Sequence, residues 1–423
     1  MDHPQIRVGP ARDQDAYLRS DHTVWFDEVG EDATDQQLLG VPERYRFAAE
    51  TDDAEPGTYP GIYGVRPMTL SVPGHEGGVR RVPVAGLTWV GVHPDHRRRG
   101  VLTAMMRHHL EHVRDEPGTH LSALHASEPA IYGRYGYGLA SLEQTVTLSR
   151  GTRLTAPHLD VAASTLTTRL ATITDDEMAT RSHACWEHCA ESAVGTIVGD
   201  LDFFERLCIE TAEDLRGKES MRMLFAKRDG LDVGLAAFRR EHKWERARPG
   251  GELTVHALAG DPAARLALVR RLVDFDRMGS VKIFGLGAED PLLDWFGGPR
   301  GASDVATYDS LWVRLVDLPE ALTARAYAAP CDVVLDVADT SAPWNAGRWR
   351  FHVDAAGTAV VERTGEDPDL RLPVEALGAC YLGGVSPVAL ASAGLIEEVR
   401  PRTARALWHA VRTDQRPGAA LGF

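Results

Sequence analysis

Cysteine is scarce. Cys185, Cys189, Cys208, Cys331 and Cys380 are scattered through 423 residues, which excludes a disulfide framework and points to reduced thiols in a cytoplasmic protein. No apolar run approaches the roughly 20 residues that cross a bilayer. The start, Met1-Asp2-His3-Pro4-Gln5, has neither the basic nor the apolar stretch of a secretory signal. Low-complexity segments are missing too. Positive charge is in short supply: 46 Lys and Arg face 61 Asp and Glu, a formal charge of -15. Such a surface repels nucleic acid and anionic membrane and favours cationic small molecules or basic partners.

What is there is ordinary globular material, 43% apolar and 25% charged, in a chain too long for one core. A short strand at 6–8 and a helix at 13–19 open it, with strand-like stretches at 61–65 and 68–72. Residues 82–92 (VPVAGLTWVGV) read as a buried strand that stops before Pro94. A basic loop, HPDHRRRG, follows. Val101, Leu102, Met105, Met106, Leu110 and Val113 then recur at helical spacing until Glu116-Pro117-Gly118 ends the helix. A strand at 121–125 completes an α/β unit. The same grammar returns as a strand at 253–259, a helix start at Gly260-Asp261-Pro262 and a helix at 263–277, without the arginine–glycine loop. This predicts an internal duplication whose second copy holds no cofactor. After Asp317-Leu318-Pro319 the texture becomes α+β, with strands at 331–337, 348–353 and 358–362 and helices at 373–382, 387–393 and 403–412.

The strongest chemical signal is the loop. A strand feeding a basic, glycine-bearing turn at a helix N-terminus presents unpaired backbone N–H groups and a positive dipole to a phosphate. Gly100 allows close approach, and Arg97, Arg98 and Arg99 add bidentate donors. Downstream, Tyr132, Tyr135 and Tyr137 stand between glycines in Ile131-Tyr132-Gly133-Arg134-Tyr135-Gly136-Tyr137-Gly138. Any of the three could serve as a general acid by position. Near the N-terminus Trp25, Phe26, Asp27 and Glu28, with Glu31 and Asp32, mix aromatic surface with carboxylates, which suits a polyamine. Cys185 and Cys189 share a helical face but lack the second ligand pair of a zinc site, and His108 and His112 lack the glutamate of HExxH, so no metal is expected.

The loop resembles motif A of the GCN5-related N-acetyltransferases, R/Q-x-x-G-x-G/A, with Arg97, Gly100 and Leu102 in its marked places; Leu102 stands where the family has a small residue. The run Leu124-His125-Ala126-Ser127-Glu128 and the tyrosine–glycine stretch resemble the enhanced-intracellular-survival (Eis) family within that group. Leu311-Trp312-Val313-Arg314, Tyr381-Leu382-Gly383-Gly384 and a terminal phenylalanine fit as well. The resemblance implies an α/β (α+β) chain: tandem acetyltransferase folds, each a mixed central sheet flanked by helices, over 1–150 and 151–312. A C-terminal sterol-carrier-protein-like α+β domain over 313–423 and a homo-hexamer are implied as well. It implies acetyl-coenzyme A as co-substrate, held by backbone groups of Val90, Gly91 and Val92 and by Arg97, Arg98, Arg99, Gly100, Val101, Leu102 and Thr103, with Ser127 and Glu128 beside them. Tyr132 would be the general acid and the α-carboxylate of Phe423 the base. The acceptor would be a primary amine on a cationic small molecule or lysine, met by Trp25, Phe26, Asp27 and Glu28. The family's aminoglycoside pocket has a glutamate just before the terminal phenylalanine, where this chain has Gly422. A reading from another class is a non-catalytic acyl-coenzyme A sensor or lipid carrier.

Overall fold

The computed structural model describes residues 5–25, 38, 40–210, 215, 218–245, 248–418 and 421–423. It divides into two compact units, Met1–Ala140 with Leu311–Thr413 and Phe423, and Ser141–Ser310 with Asp414–Gly422.

In the first unit the strands β1 (Arg7–Pro10), β2 (Arg46–Glu50), β3 (Gly61–Pro73), β4 (Val79–Val92) and β5 (Leu121–His125) lie side by side. Leu311–Leu315 and β6 (Gly138–Leu139) follow beyond β5. Neighbours are antiparallel except β4 and β5. Helix α1 (Gln14–Trp25) precedes β2, and α2 (Val101–Asp115) crosses from β4 to β5. Met105, Met106, Leu110 and Val113 of α2 are buried against Phe47, Tyr63 and Leu87. The helix ends where Glu116 turns to extended backbone.

The expected strands 61–65 and 68–72 are one strand. Pro67 falls between them, and because β2 pairs with β3 only as far as Gly64, a residue without an N–H is tolerated there, opposite Ala85 of β4. Strand β2 went unread in the sequence. The strand Leu311–Leu315, read at the border of the second and third domains, pairs with β5 and β6 in the first sheet.

The second unit repeats the scheme. Its sheet runs Asp304–Asp309, Leu142–Ser149, Met278–Gly287, Gly251–Gly260, Leu231–Glu241, Arg222–Arg228, Thr167–Thr172. Gly251–Gly260 and Met278–Gly287 are its parallel pair, joined through the helix Pro262–Val273, as α2 joins β4 to β5. That helix stops four residues short of expectation, with Asp274 at its C-cap. Leu142–Ser149, read as the end of the first domain, pairs in this sheet. The repeated grammar of the sequence is a repeated fold.

The C-terminal segment, within the first unit, is α+β. Cys331–Ala338 pairs antiparallel with Gly347–Val353 and parallel with Leu370–Pro373, and Ala359–Arg363 and Glu397–Glu398 are the sheet's outer strands. Its helix Val374–Cys380 packs backbone against backbone on β6 and Leu311–Leu315. A Cβ on Gly138 would strike Glu375 O and Ala379 N, and one on Gly378 would strike Val313 O. Beside this contact Arg314 pairs with both carboxylate oxygens of Asp339 at 2.8 and 2.6 Å, the two side chains 0% and 1% exposed. Asp339 also accepts from Ala342 N and Asn345 Nδ2, so its buried carboxylate is fully bonded, while Arg314 Nε is buried without a hydrogen-bond partner among the described residues. No helix among the described residues is long and apolar enough to cross a membrane.

Beneath β4 and β5 lies a buried polar node. Ser122 Oγ donates to Ala85 O at 3.0 Å, across the strand pair. A serine has one proton to give, so it must accept from both Tyr137 Oη and His109 Nε2, each at 2.8 Å. This fixes His109 as the neutral Nε2–H tautomer. Its Nδ1 is buried without a partner, and burial first, then the nearby His112, His108 and Arg314, pushes its pKa down to about 3. The native state therefore takes up fewer protons than the unfolded chain between about pH 3 and the ordinary histidine value, and stability falls as the pH drops through that window. His109→Gln, which keeps a donor to Ser122 but cannot titrate, is expected to lose less stability on acidification from pH 7 to pH 4. The difference should approach roughly 1.4 kcal/mol per pH unit below the unfolded pKa. Matched denaturant curves at several pH values check it; parallel losses would show that His109 is charged in the fold.

Candidate active site

The site begins where β4 and β5 part. Their parallel pairing consists of Ala85 with Ser122 and Gly86 with Ala123. Beyond it β4 carries a bulge: Ile62 pairs with Gly91 and Gly64 with Thr88, so Tyr63 faces both Trp89 and Val90. Trp89 takes up the left-handed backbone at φ 52, a strained conformation for a bulky residue, and packs on Tyr17 with ring centroids 6.0 Å apart. The bulge re-aims the end of β4, and the β5-facing edge of Val90, Gly91 and Val92 is left without a strand partner. These are the three residues whose backbone is expected to hold the thioester arm. Gly91 also lets α1 approach, since a Cβ there would meet Val24 at 3.0 Å.

The basic loop follows. A single 3₁₀ turn, Pro94–His96, leads to Arg97 in extended backbone, Arg98 at φ 62 and Gly100 at φ 89. Gly100 is the N-cap of α2, where φ is one a side chain resists, and no side chain caps the first-turn N–H groups of Val101, Leu102 and Thr103. Arg97 and Arg98 are exposed and have no carboxylate partner among the described residues. Arg99 differs: its guanidinium reaches Asp53 at 2.5 Å and His96 Nδ1 at 3.2 Å. The free donors toward an anion are thus the α2 amides and two of the three arginines, an arrangement that fits a diphosphate.

The three tyrosines separate cleanly. Tyr137 is wholly buried and bonded to Ser122. The Tyr135 hydroxyl meets Thr103 Oγ1 at 3.2 Å, tying the glycine-rich turn to the first turn of α2. Tyr132, at the end of the short helix Pro129–Tyr132, stacks edge-on against Tyr137 with centroids 6.1 Å apart. Its hydroxyl is hydrogen-bonded to the exposed Ser127. Burial drives the Tyr132 phenol up to about 12 against the opposing Ser127 bond, with Glu128 and Tyr135 adding to the rise. Tyr132 therefore keeps its proton at any physiological pH.

Phe423 lies at the parting of the strands. Its ring meets His125 edge-on, centroids 5.1 Å apart at 73°, and a Cβ on Gly86 would stand 3.0 Å from Phe423 Cε2. No local pattern pointed to Gly86, to Thr103 as a tyrosine partner, or to Asp53. Of the residues expected to meet the acceptor, Trp25 ends α1 and is 42% exposed; Phe26, Asp27 and Glu28 lie outside the described residues.

Comparison with known proteins agrees with this geometry. Residues 15–140 match the acetyltransferase (GNAT) domain family and residues 318–418 the sterol carrier protein domain family. An uncharacterized N-acetyltransferase of Streptomyces coelicolor is 39% identical over 364 residues, 86% of this chain and 83% of that protein. N-acetyltransferase Eis of Mycobacterium tuberculosis is 29% identical over 378 residues, 88% of each chain. The crystal structure of Eis1 from Mycobacterium abscessus superposes with a TM-score of 0.80 at 26% identity, covering 99% of this chain and 100% of that one. The open strand pair, the uncapped basic loop at α2 and a match spanning both matched domains lead to one conclusion: the chain belongs to the Eis family of GCN5-related N-acetyltransferases and is an acyltransferase whose fold takes acetyl-coenzyme A.

Proposed function

We propose that the protein transfers acetyl from acetyl-coenzyme A to a primary amine of a cationic acceptor by direct attack in a ternary complex. Tyr132 would act as acid and the α-carboxylate of Phe423 as base. The observation that carries this reading is the Phe423 ring seated on Gly86 and His125, where β4 and β5 separate.

Two protons leave the ammonium nitrogen as it becomes an amide. The carboxylate of Phe423 takes the first and passes it to solvent, freeing the lone pair that attacks the thioester carbon. As the carbon–sulfur bond breaks, Tyr132 gives its proton to the sulfur and is recharged by the second. Tyr132 suits this role because its hydroxyl is bonded to the exposed Ser127, whereas the Tyr137 proton is committed to the buried Ser122 and the Tyr135 hydroxyl is tied to Thr103. A phenol held near 12 cannot lose its proton prematurely. Val90, Gly91 and Val92 would align the thioester arm, and Arg97, Arg98 and the amides of residues 98–103 would hold the diphosphate, with Ser127 and Glu128 nearby. The charge of -15 favours a polycationic amine, a small molecule or a lysine side chain. A lipid-carrier role has less support. The cavity of the C-terminal segment lined by Leu322, Arg325, Phe351 and Tyr381 measures about 20 Å³, room for one water.

The second fold would take no cofactor. At the helix start that corresponds to α2, Asp261 accepts from Ala264 N at 2.8 Å and pairs with Arg228 at 2.8 Å. A fixed carboxylate thus occupies the place where a phosphate would bind. Titration calorimetry with coenzyme A is expected to return one site per chain, and two equivalent sites would refute the assignment.

Tyr132→Phe should leave coenzyme A affinity near that of the parent and lower kcat by about 10²–10⁴-fold, the usual loss of a positioned acid. Tyr137→Phe should instead cost stability of about 1 kcal/mol, because it takes a donor from the Ser122 node. Steady-state kinetics beside melting curves separate the two; the reverse pattern would remove Tyr132 from the mechanism.

Extending the chain past Phe423 converts its carboxylate to an amide. Acetyl transfer should collapse in a C-terminally tagged protein and persist in an N-terminally tagged one of equal Tm. Equal initial rates would show that the base lies elsewhere.

A further inference from the structure

We infer that Gly86 is the positioning residue for the chain end: its missing side chain is the seat that holds the Phe423 ring, and with it the carboxylate, at the apex of the β4–β5 cleft. The inference rests on the reading of Phe423 as base.

Gly86 is buried in the middle of β4, where a glycine weakens a strand and needs a reason. Its backbone does not supply one, for it is absent from the residues with positive φ and pairs regularly with Arg66 on one side and Ala123 on the other. The reason is room. A Cβ there would stand 2.8 Å from Met68 Sδ, 3.0 Å from Phe423 Cε2 and 3.2 Å from Arg66 O. Met68 is a flexible thioether on β3 and can yield; the Arg66 carbonyl belongs to the strand pair and cannot. The Phe423 ring is the neighbour that has somewhere to go, since it is a partly exposed chain end whose other ring contact is His125. Gly86 also belongs to the last residue pair that β4 makes with β5, so the ring sits at the point where the cleft begins. A side chain at this position would push the ring outward, and the carboxylate on the same residue would move with it. The contact asks the ring to give by a few tenths of an ångström; since a displacement of about 1 Å can cost on the order of 10²-fold in rate, the expected loss is smaller than that.

The decisive measurements are kcat, KM for acetyl-coenzyme A, and the rate at which carboxypeptidase A releases phenylalanine from the folded protein, for Gly86→Ala, Phe423→Leu and the double variant. Gly86→Ala is expected to lower kcat severalfold while KM for acetyl-coenzyme A holds, and to speed release of Phe423. The smaller leucine in the double variant should recover most of the lost kcat, which a general loss of core packing would not allow. If Gly86→Ala does not fold, Phe423→Trp overfills the same seat from the chain end without touching the core. It should show the same kcat loss at unchanged Tm. Parental kcat and release rate in Gly86→Ala, or a kcat loss with unchanged release and no recovery in the double variant, would overturn the inference. The reading beneath it fails separately. If a C-terminal extension leaves the rate intact, Phe423 is not the base, whatever release from Gly86→Ala shows. If the extension abolishes transfer while Gly86→Ala is silent, the base stands and the seat falls.

Discussion

The first unit depends on how two parallel strands are held together for two residue pairs and no further. The hydroxyl of Ser122 does the holding. It gives its one proton to the Ala85 carbonyl on β4 and takes protons from Tyr137 and from His109 on α2. Three elements that line the cleft, β4, α2 and the glycine-rich turn, therefore meet at one saturated oxygen. Just beyond it the Trp89 bulge turns β4 away, and the strands cannot pair again. A cleft made this way has a rigid apex and an open rim, which lets backbone groups serve as ligands without exposing them in the middle of a sheet. Phe423 occupies the apex because Gly86, one residue past Ala85, leaves the space.

The glycine-rich turn explains how one short motif serves two structures. Tyr132 faces Ser127, while Tyr135 and Tyr137 anchor the turn to α2 and β5. On its other side Gly138 and Gly378 let the helix Val374–Cys380 lie directly against β6 and Leu311–Leu315, and Gly136, at φ 83, would crowd Val374 and the Arg314 guanidinium if it carried a Cβ. The buried Arg314–Asp339 pair sits next to this contact. Removing one partner of such a pair leaves an uncompensated charge, at a cost of about 3–5 kcal/mol. The C-terminal segment is thus joined to the sheet that holds Tyr132 through the very turn that presents it, so the position of the proposed acid depends on packing far away in the chain.

Much of this was legible in the residue order. The amphipathic spacing of α2, the Glu116-Pro117-Gly118 stop, the basic loop and the repeat in the second unit are local patterns, and local patterns survive folding. The misreadings have a common physical cause. Pro67 marks a break in any isolated strand, but here β2 has already left β3 and the missing N–H costs little. Leu311–Leu315 joins the first sheet because the chain returns after the whole second unit, and no periodicity announces a return. Ser122 reads as a plain polar residue in an apolar strand, and Gly86 as a weak point in another. Each gains meaning from a partner distant in sequence, Tyr137 and His109 for one, Phe423 for the other. Arg99, grouped with the phosphate donors, also pairs with Asp53, a partner that no local pattern announces.

The two acetyltransferase folds show how little separates a phosphate site from a closed helix end. Both have a parallel strand pair bridged by a helix. In the first, the helix opens on Gly100, with no side chain capping its first-turn amides and two arginines beside them that have no carboxylate partner among the described residues. In the second, Asp261 supplies the acceptor that those amides need and is itself neutralised by Arg228. A carboxylate at a helix N-terminus satisfies the same N–H groups and the same dipole that a phosphate would. An external anion would have to displace a tethered one that loses no translational freedom by staying. Capping therefore stabilises the second helix start, whereas no side chain caps the first. Gly100 and Asp261 at the same cap position thus give two copies of the same fold one open helix start and one closed one.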